Sequence, residues 1–174
     1  ENKLLTIRGM SLRQLINVVH SGGGILGAAH PFGAKAASAM FCRKVRRNPD
    51  IFKKLDFLEG FNTCEAKEAN DKAVALAKKY ALPCTGGSDS HNKAHVGKGF
   101  TDFSSPIKNN NDLIKSIKAN EIKSFGGVER EFLMRHILKH SFPATWGFRA
   151  FNRSIGLAYV FRRRPYLSKL KSNK

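Results

Sequence analysis

The chain has 174 residues, 41% of them hydrophobic, which suits one domain with a core and excludes a disordered chain. Thirty-one Lys and Arg against 13 Asp and Glu give a formal charge of +18, which favours anionic partners: nucleic acid, phosphorylated metabolites or an acidic membrane surface. No apolar run is long enough to span a bilayer, and Glu1 to Ile7 lack the basic-then-apolar order of a secretion signal.

In chain order, Leu4 to Ile7 reads as a short strand. Ser11 reads as a helix N-cap, followed by Leu12, Leu15, Ile16 and Val19 at helical spacing, with Gly22 as the stop. The run Gly22-Gly23-Gly24-Ile25-Leu26-Gly27 has the wording of a phosphate-binding loop. It lies after a helix and before a strand, the reverse of what such a loop needs, and reads as a C-cap plus turn. Ile25 to Ala29 reads as an apolar strand ending in His30-Pro31-Phe32. Strand ends are where α/β barrels place working residues; a His satisfied by nearby carbonyls is the plainer alternative. Residues 34–54 are small and basic and read as helix broken before Pro49. Arg43, Arg46 and Arg47 there are either phosphate contacts or a solvated face.

Leu55 to Phe61 is a second strand, ending in Glu59-Gly60-Phe61-Asn62. Glu65 to Tyr80 is a helix with Ala66, Ala69, Ala73, Leu76 and Ala77 as its apolar stripe. Ala81-Leu82-Pro83-Cys84 then reads as a buried strand entering the glycine turn of Thr85-Gly86-Gly87-Ser88-Asp89-Ser90-His91. In an extended backbone, residues i and i+2 project to one side. Asp89 and His91 would then converge on one ion, an oxygen and nitrogen pairing that zinc, manganese or iron accepts. Taken alone, the pair reads as a turn Asp capping its own backbone beside an exposed His; the metal reading rests on the other strand ends. Cys42, Cys64 and Cys84 contain no Cys-x-x-Cys and read as small apolar residues of a reducing, cytoplasmic setting.

Asn92 to Phe103, with His95 and Lys98, reads as a site-forming loop. Asn111 or Asp112 starts a helix that buries Leu113, Ile114 and Ile117. Ile122 to Phe125 is the last strand, and Gly126-Gly127 opens a helix at Val128. Alternating helix and strand in units of about 30 residues indicates parallel βα units. From residue 128 onward, eleven Lys and Arg face two acids, with Trp146, Phe148, Phe151, Tyr159 and Phe161 interleaved. This basic, mainly helical extension either packs its aromatics on the preceding domain or meets nucleic acid or an acidic membrane surface.

Ala29-His30-Pro31-Phe32, Glu59-Gly60-Phe61-Asn62 and Gly87-Ser88-Asp89-Ser90-His91 with the trailing Val96-Gly97-Lys98-Gly99-Phe100-Thr101 follow an order and spacing that resembles the C-terminal half of PHP proteins. These are the polymerase and histidinol phosphatase superfamily of metal-dependent phosphoesterases. The resemblance covers about residues 5–127. It implies part of a distorted (β/α)7 TIM-like barrel over residues 1–127, followed by the extension over 128–174. It further implies two or three divalent metals, manganese, zinc or iron, at the carboxyl ends of the strands. By motif His30, Asp89 and His91 would be metal ligands and catalytic residues, with Glu59 and Asn62 at the matching strand end. Lys98, Arg43 and Asn62 are the candidate contacts to a phosphorylated small molecule or nucleotide. The family's His-x-His motif is absent from the chain, so the expectation is a fragment whose N-terminal half is supplied in cis or in trans, or a degenerate relative. A catalytically inactive nucleic-acid or anion-binding module and an amidohydrolase-type metal hydrolase are the competing expectations.

Overall fold

The computed structural model describes residues 10–33, 38–130 and 142–158. The expected strand at Leu4 to Ile7 and the basic tail from Tyr159 onward lie outside the described residues. The described chain divides into two compact units, residues 10–24 with 142–158 and residues 25–33 with 38–130. The sequence had placed the first helix with the barrel and the division near residue 127.

In the smaller unit, helix α1 (Leu12–Ser21) begins at a capping box. Ser11 Oγ accepts the Gln14 N–H at 3.3 Å, and Gln14 Oε1 accepts the Ser11 N–H at 3.0 Å. Two orphan donors of the first turn are thereby satisfied reciprocally. Gly22 closes the helix, as its position predicts. Helix α5 (Phe142–Ala158) leaves Trp146, Phe151 and Leu157 exposed.

The larger unit contains a parallel sheet of three strands in the order β1 (Gly27–Ala28), β2 (Phe57–Asn62) and β3 (Cys84–Gly87). β1 and β2 pair through Gly27 opposite Phe57; β2 and β3 pair from Leu58 opposite Cys84 to Asn62 opposite Gly87, with an irregularity at Gly60. Between β1 and β2 the chain makes short helical turns, including α2 (Arg43–Arg47), rather than one basic helix. Pro49 opens the next 3-10 turn, where its fixed φ is tolerated. Helix α3 (Lys67–Tyr80) packs on β2 through Ala73 and Ala77, and Leu58, Phe52 and Val45 are buried with them. Asn70 pins the helix to the strand end: the Asn62 N–H donates to Asn70 Oδ1 at 3.0 Å, and Asn70 Nδ2 donates to the Asn62 carbonyl at 3.1 Å.

The remaining strands depart from the expected parallel βα repeat. β4 (Gly99–Phe103) and β5 (Ile122–Gly127) pair antiparallel, joined through α4 (Asn110–Lys118), which Asn109 caps. The stretch read as a loop thus contains a strand, and Gly126-Gly127 complete β5; residues 128–130 are not helical, and the rest of the helix expected from Val128 lies outside the described residues. Gly99 and the polar Thr101 and Asp102 mask the period-two burial that Gly99–Phe103 shows in the fold. No closed barrel forms among the described residues; the architecture is a mixed α/β unit in which the β4–β5 pair packs over β2 and β3. Gly86 makes that packing feasible, because a Cβ there would collide with the Phe100 carbonyl oxygen and crowd the Gly126 backbone. The two layers are joined where Thr101 Oγ1 accepts the Gly86 N–H at 3.0 Å and donates to the Gly86 carbonyl at 3.1 Å.

Leu58 is 0% exposed at the centre of this sheet. Leu58→Ala is expected to cost about 2–5 kcal/mol, the range for an aliphatic cavity in a packed core, measured as a fall in the midpoint of denaturant unfolding.

Candidate functional site at the carboxyl rim

Because β1, β2 and β3 run parallel, their carboxyl ends lie on one rim. His30 stands two residues beyond β1, Glu59 within β2, and Asp89 two residues beyond β3. His30 takes a left-handed backbone, φ 68°, and its Nδ1 lies 3.4 Å from Ser38 Oγ. Ser38 is buried, and its hydroxyl shares the space over Gly33 with Glu65 Oε1. Glu65, read from the sequence as the first residue of a helix, instead precedes α3 and is 5% exposed in the loop after β2.

Glu59 lies against Gly87, where any Cβ would strike its Oε1, and Asn62 Nδ2 donates to Glu59 Oε2 at 3.0 Å. Burial pushes the Glu59 carboxyl above the usual carboxylate range; the Asn62 bond and His30 oppose the rise, and the charges of Asp89 and Glu65 add to it. His30, Glu65 and Asp89 are therefore each close enough to Glu59 to act on it electrostatically. Three acids and an imidazole gather on one rim of a chain that is otherwise strongly basic.

Asp89 also has a left-handed backbone, φ 42°, so the extended geometry expected for Asp89 and His91 does not hold. Their side chains part: Asp89 is 18% exposed and His91 82% exposed. His91 Nδ1 approaches the Asp89 carbonyl at 3.1 Å and its carboxylate at 3.7 Å. An Nδ1–H donated to the carbonyl leaves Nε2 as the outward lone pair.

Asn62, expected to touch substrate, is 1% exposed. Its Oδ1 accepts the Cys64 N–H at 2.8 Å while its Nδ2 holds Glu59, so it orients the acid from behind. Lys98 is exposed just before β4, near His95, whose imidazole is held below its usual range by partial burial and then by the charges of Arg130 and Lys98. Arg43 is exposed on α2, and no hydrogen bond or ion pair among the described residues ties it to the rim. Cys42, Cys64 and Cys84 form no disulfide; Cys42 is exposed, against the expectation of an apolar filler, while burial pushes the Cys84 thiol up.

Sequence reasoning also missed Arg130. Its Nε donates to Thr63 Oγ1 at 2.9 Å, and its Nη2 donates to the carbonyls of Ser88 and, at 3.0 Å, Asp89. The available signal was an arginine just after the last strand, which is too common to single out.

A metal is implied by the motif resemblance, and the donor chemistry suits one. Imidazole and carboxylate side chains accept manganese, zinc or iron, and His30, Glu65 and Asp89 all stand near enough to Glu59 to act on its charge. The ligand count is incomplete: among the described residues no three His, Cys, Asp or Glu side chains form a group that could hold a metal ion.

Fold and rim together define a mixed α/β protein with an acidic cluster at the carboxyl ends of its parallel strands. Comparison with known proteins adds a match over part of the chain: residues 67–122 match the family described as PHP-associated, so the resemblance read from the motifs is borne out over that segment. It takes in Asp89, His91 and Lys98 and leaves His30, Glu59 and Arg130 outside. The chain is 25% identical over 142 residues to an uncharacterized protein of Methanocaldococcus jannaschii, covering 79% of this chain and 58% of that protein. The chain thus spans less than two thirds of that relative's length. No solved structure matches it. No helix among the described residues is long and apolar enough to cross a membrane.

The Glu59 shift has a stability consequence. A carboxyl raised in the folded state binds its proton more tightly than the unfolded chain does, so its contribution is present at low pH and is lost as pH rises through the raised value. Glu59→Gln removes that loss. Its Tm relative to wild type is expected to rise between pH 4 and pH 7 in paired thermal melts; a difference that stays constant contradicts the assignment.

Proposed function

We propose that this chain contributes the carboxyl-rim portion of a metal-dependent phosphoesterase that hydrolyses a phosphorylated small molecule or nucleotide. The observation that carries the reading is the gathering of His30, Glu59, Glu65 and Asp89 at one rim, in a chain whose residues 67–122 match a PHP-associated family. His30 and Asp89 are the ligands this chain offers from the inner rim, and His91 adds an outward Nε2. The ligand count would be completed by residues outside the described chain, in cis or in trans.

When bound, divalent cations would neutralise phosphate charge and make a coordinated water more acidic. The chain's own residues set the rest. Asn62 fixes the Glu59 carboxylate through a 3.0 Å hydrogen bond, which aims an acid of raised proton affinity across the rim. A carboxyl raised in this way is a better proton carrier toward water than an ordinary surface carboxylate. Lys98 stands exposed beside His95 at the same edge, placed to hold a phosphate oxygen as a point charge. Arg43 is retained only as an outlying substrate contact.

A second reading, an inactive module that binds nucleic acid or another anion, is favoured by one specific observation: the incomplete ligand group, together with a charge of +18. One experiment separates the two. The full-length protein, assayed on p-nitrophenyl phosphate with Mn²⁺, is expected to release phosphate. His30→Ala and Asp89→Asn should each lower that rate by more than about 100-fold. Wild-type rates in both variants would falsify the phosphoesterase reading. Absence of metal by elemental analysis, with nucleic-acid affinity falling steeply in salt, would establish the binding module in its place.

A further inference from the structure

We infer that Arg130 is a positioning residue for Asp89, acting through a clamp on the backbone of the turn that carries it. Asp89 has a left-handed φ of 42°, a conformation disfavoured for an L-residue unless its surroundings hold it. Three donors hold it here. Arg130 Nη2 reaches both the Ser88 and the Asp89 carbonyls. Thr63 Oγ1 donates to the Ser88 carbonyl at 2.9 Å and accepts from Arg130 Nε at 2.9 Å. The Cys64 thiol approaches the Asp89 carbonyl at 3.7 Å.

The clamp is itself built on the fold. Thr63 is 0% exposed, and its N–H donates to the Gly87 carbonyl at 3.2 Å, continuing the β2–β3 contact beyond the strands. Arg130 is delivered by the chain leaving β5: the Val128 N–H donates to the Lys98 carbonyl at 2.9 Å and the Arg130 N–H to the Thr63 carbonyl at 2.9 Å. A planar guanidinium can serve a hydroxyl and two carbonyls at once; an ammonium on a flexible stem cannot reproduce that fork. The clamp engages only backbone carbonyls and leaves the Asp89 carboxylate, 3.7 Å from His91 Nδ1, free of Arg130 and Thr63, so the turn that carries it is fixed before anything binds. What Asp89 does there rests on the function proposed above; the clamp does not.

The test compares wild type, Arg130→Ala, Arg130→Lys and Thr63→Val in the full-length protein. Amide hydrogen exchange of residues 88–91 in metal-free protein is expected to accelerate at least about tenfold in Arg130→Ala, with β2 and β3 unchanged. In the Mn²⁺-dependent phosphatase assay, kcat is expected to fall about 10–100-fold with KM nearly constant, the size seen when an outer partner of a ligand is removed. Arg130→Lys should fail to restore it, added guanidinium should restore part, and Thr63→Val should be non-additive with Arg130→Ala. Unchanged exchange at 88–91, acceleration spread over the whole sheet, or a rise in KM alone overturns the inference. A wild-type protein without phosphatase activity refutes the proposed function, and the exchange measurement then decides the clamp by itself.

Discussion

The close crossing of backbones at Gly86-Gly87 is the constraint on which the rest of the larger unit depends. At Gly86 the end of β3 meets the Phe100 carbonyl and the Gly126 backbone with no room for a side chain, and Thr101 ties the two layers through one hydroxyl. At Gly87 the same absence of a Cβ admits the Glu59 carboxylate. One glycine therefore seats the antiparallel pair on the parallel sheet, and the next lets an acid stand at the rim. Larger residues at either place would force apart groups that the site needs together.

The rim's electrostatics follow from that crowding. Glu59 loses water and gains two neighbouring carboxylates, which raises its proton affinity. Asn62 and Asn70, both buried, supply the compensating hydrogen bonds from behind the strand end. The strongly positive charge of the whole chain and the local excess of acid at the rim are not in conflict: long-range attraction draws anions toward the molecule, while the rim concentrates donors suited to a cation.

Legibility in the sequence tracked how local each interaction is. The α1 capping box, the Gly22 stop, the Asn109-capped helix and the strand leading to Glu59 were readable because cap and periodicity lie within a few residues. His30 and Asp89 were readable as strand-end residues for the same reason. The antiparallel β4–β5 pair was not, since its partners are separated by a helix and its pattern is diluted by glycine. Glu65 looked like the start of a helix because nothing nearby marks it as buried, and Arg130 reaches Thr63 across 67 positions.

Motif order alone was sufficient to place an imidazole just past one strand and an Asp just past another, and with them the family resemblance, because parallel strands deliver their carboxyl termini to one side. Whether neighbouring side chains then share a ligand was decided only by the folded backbone. Asp89 is left-handed, its carbonyl bonded by Arg130, with its carboxylate 18% exposed and the adjacent His91 ring 82% exposed. A single dihedral set by contacts distant in the chain governs the outcome, and no spacing of residues encodes it.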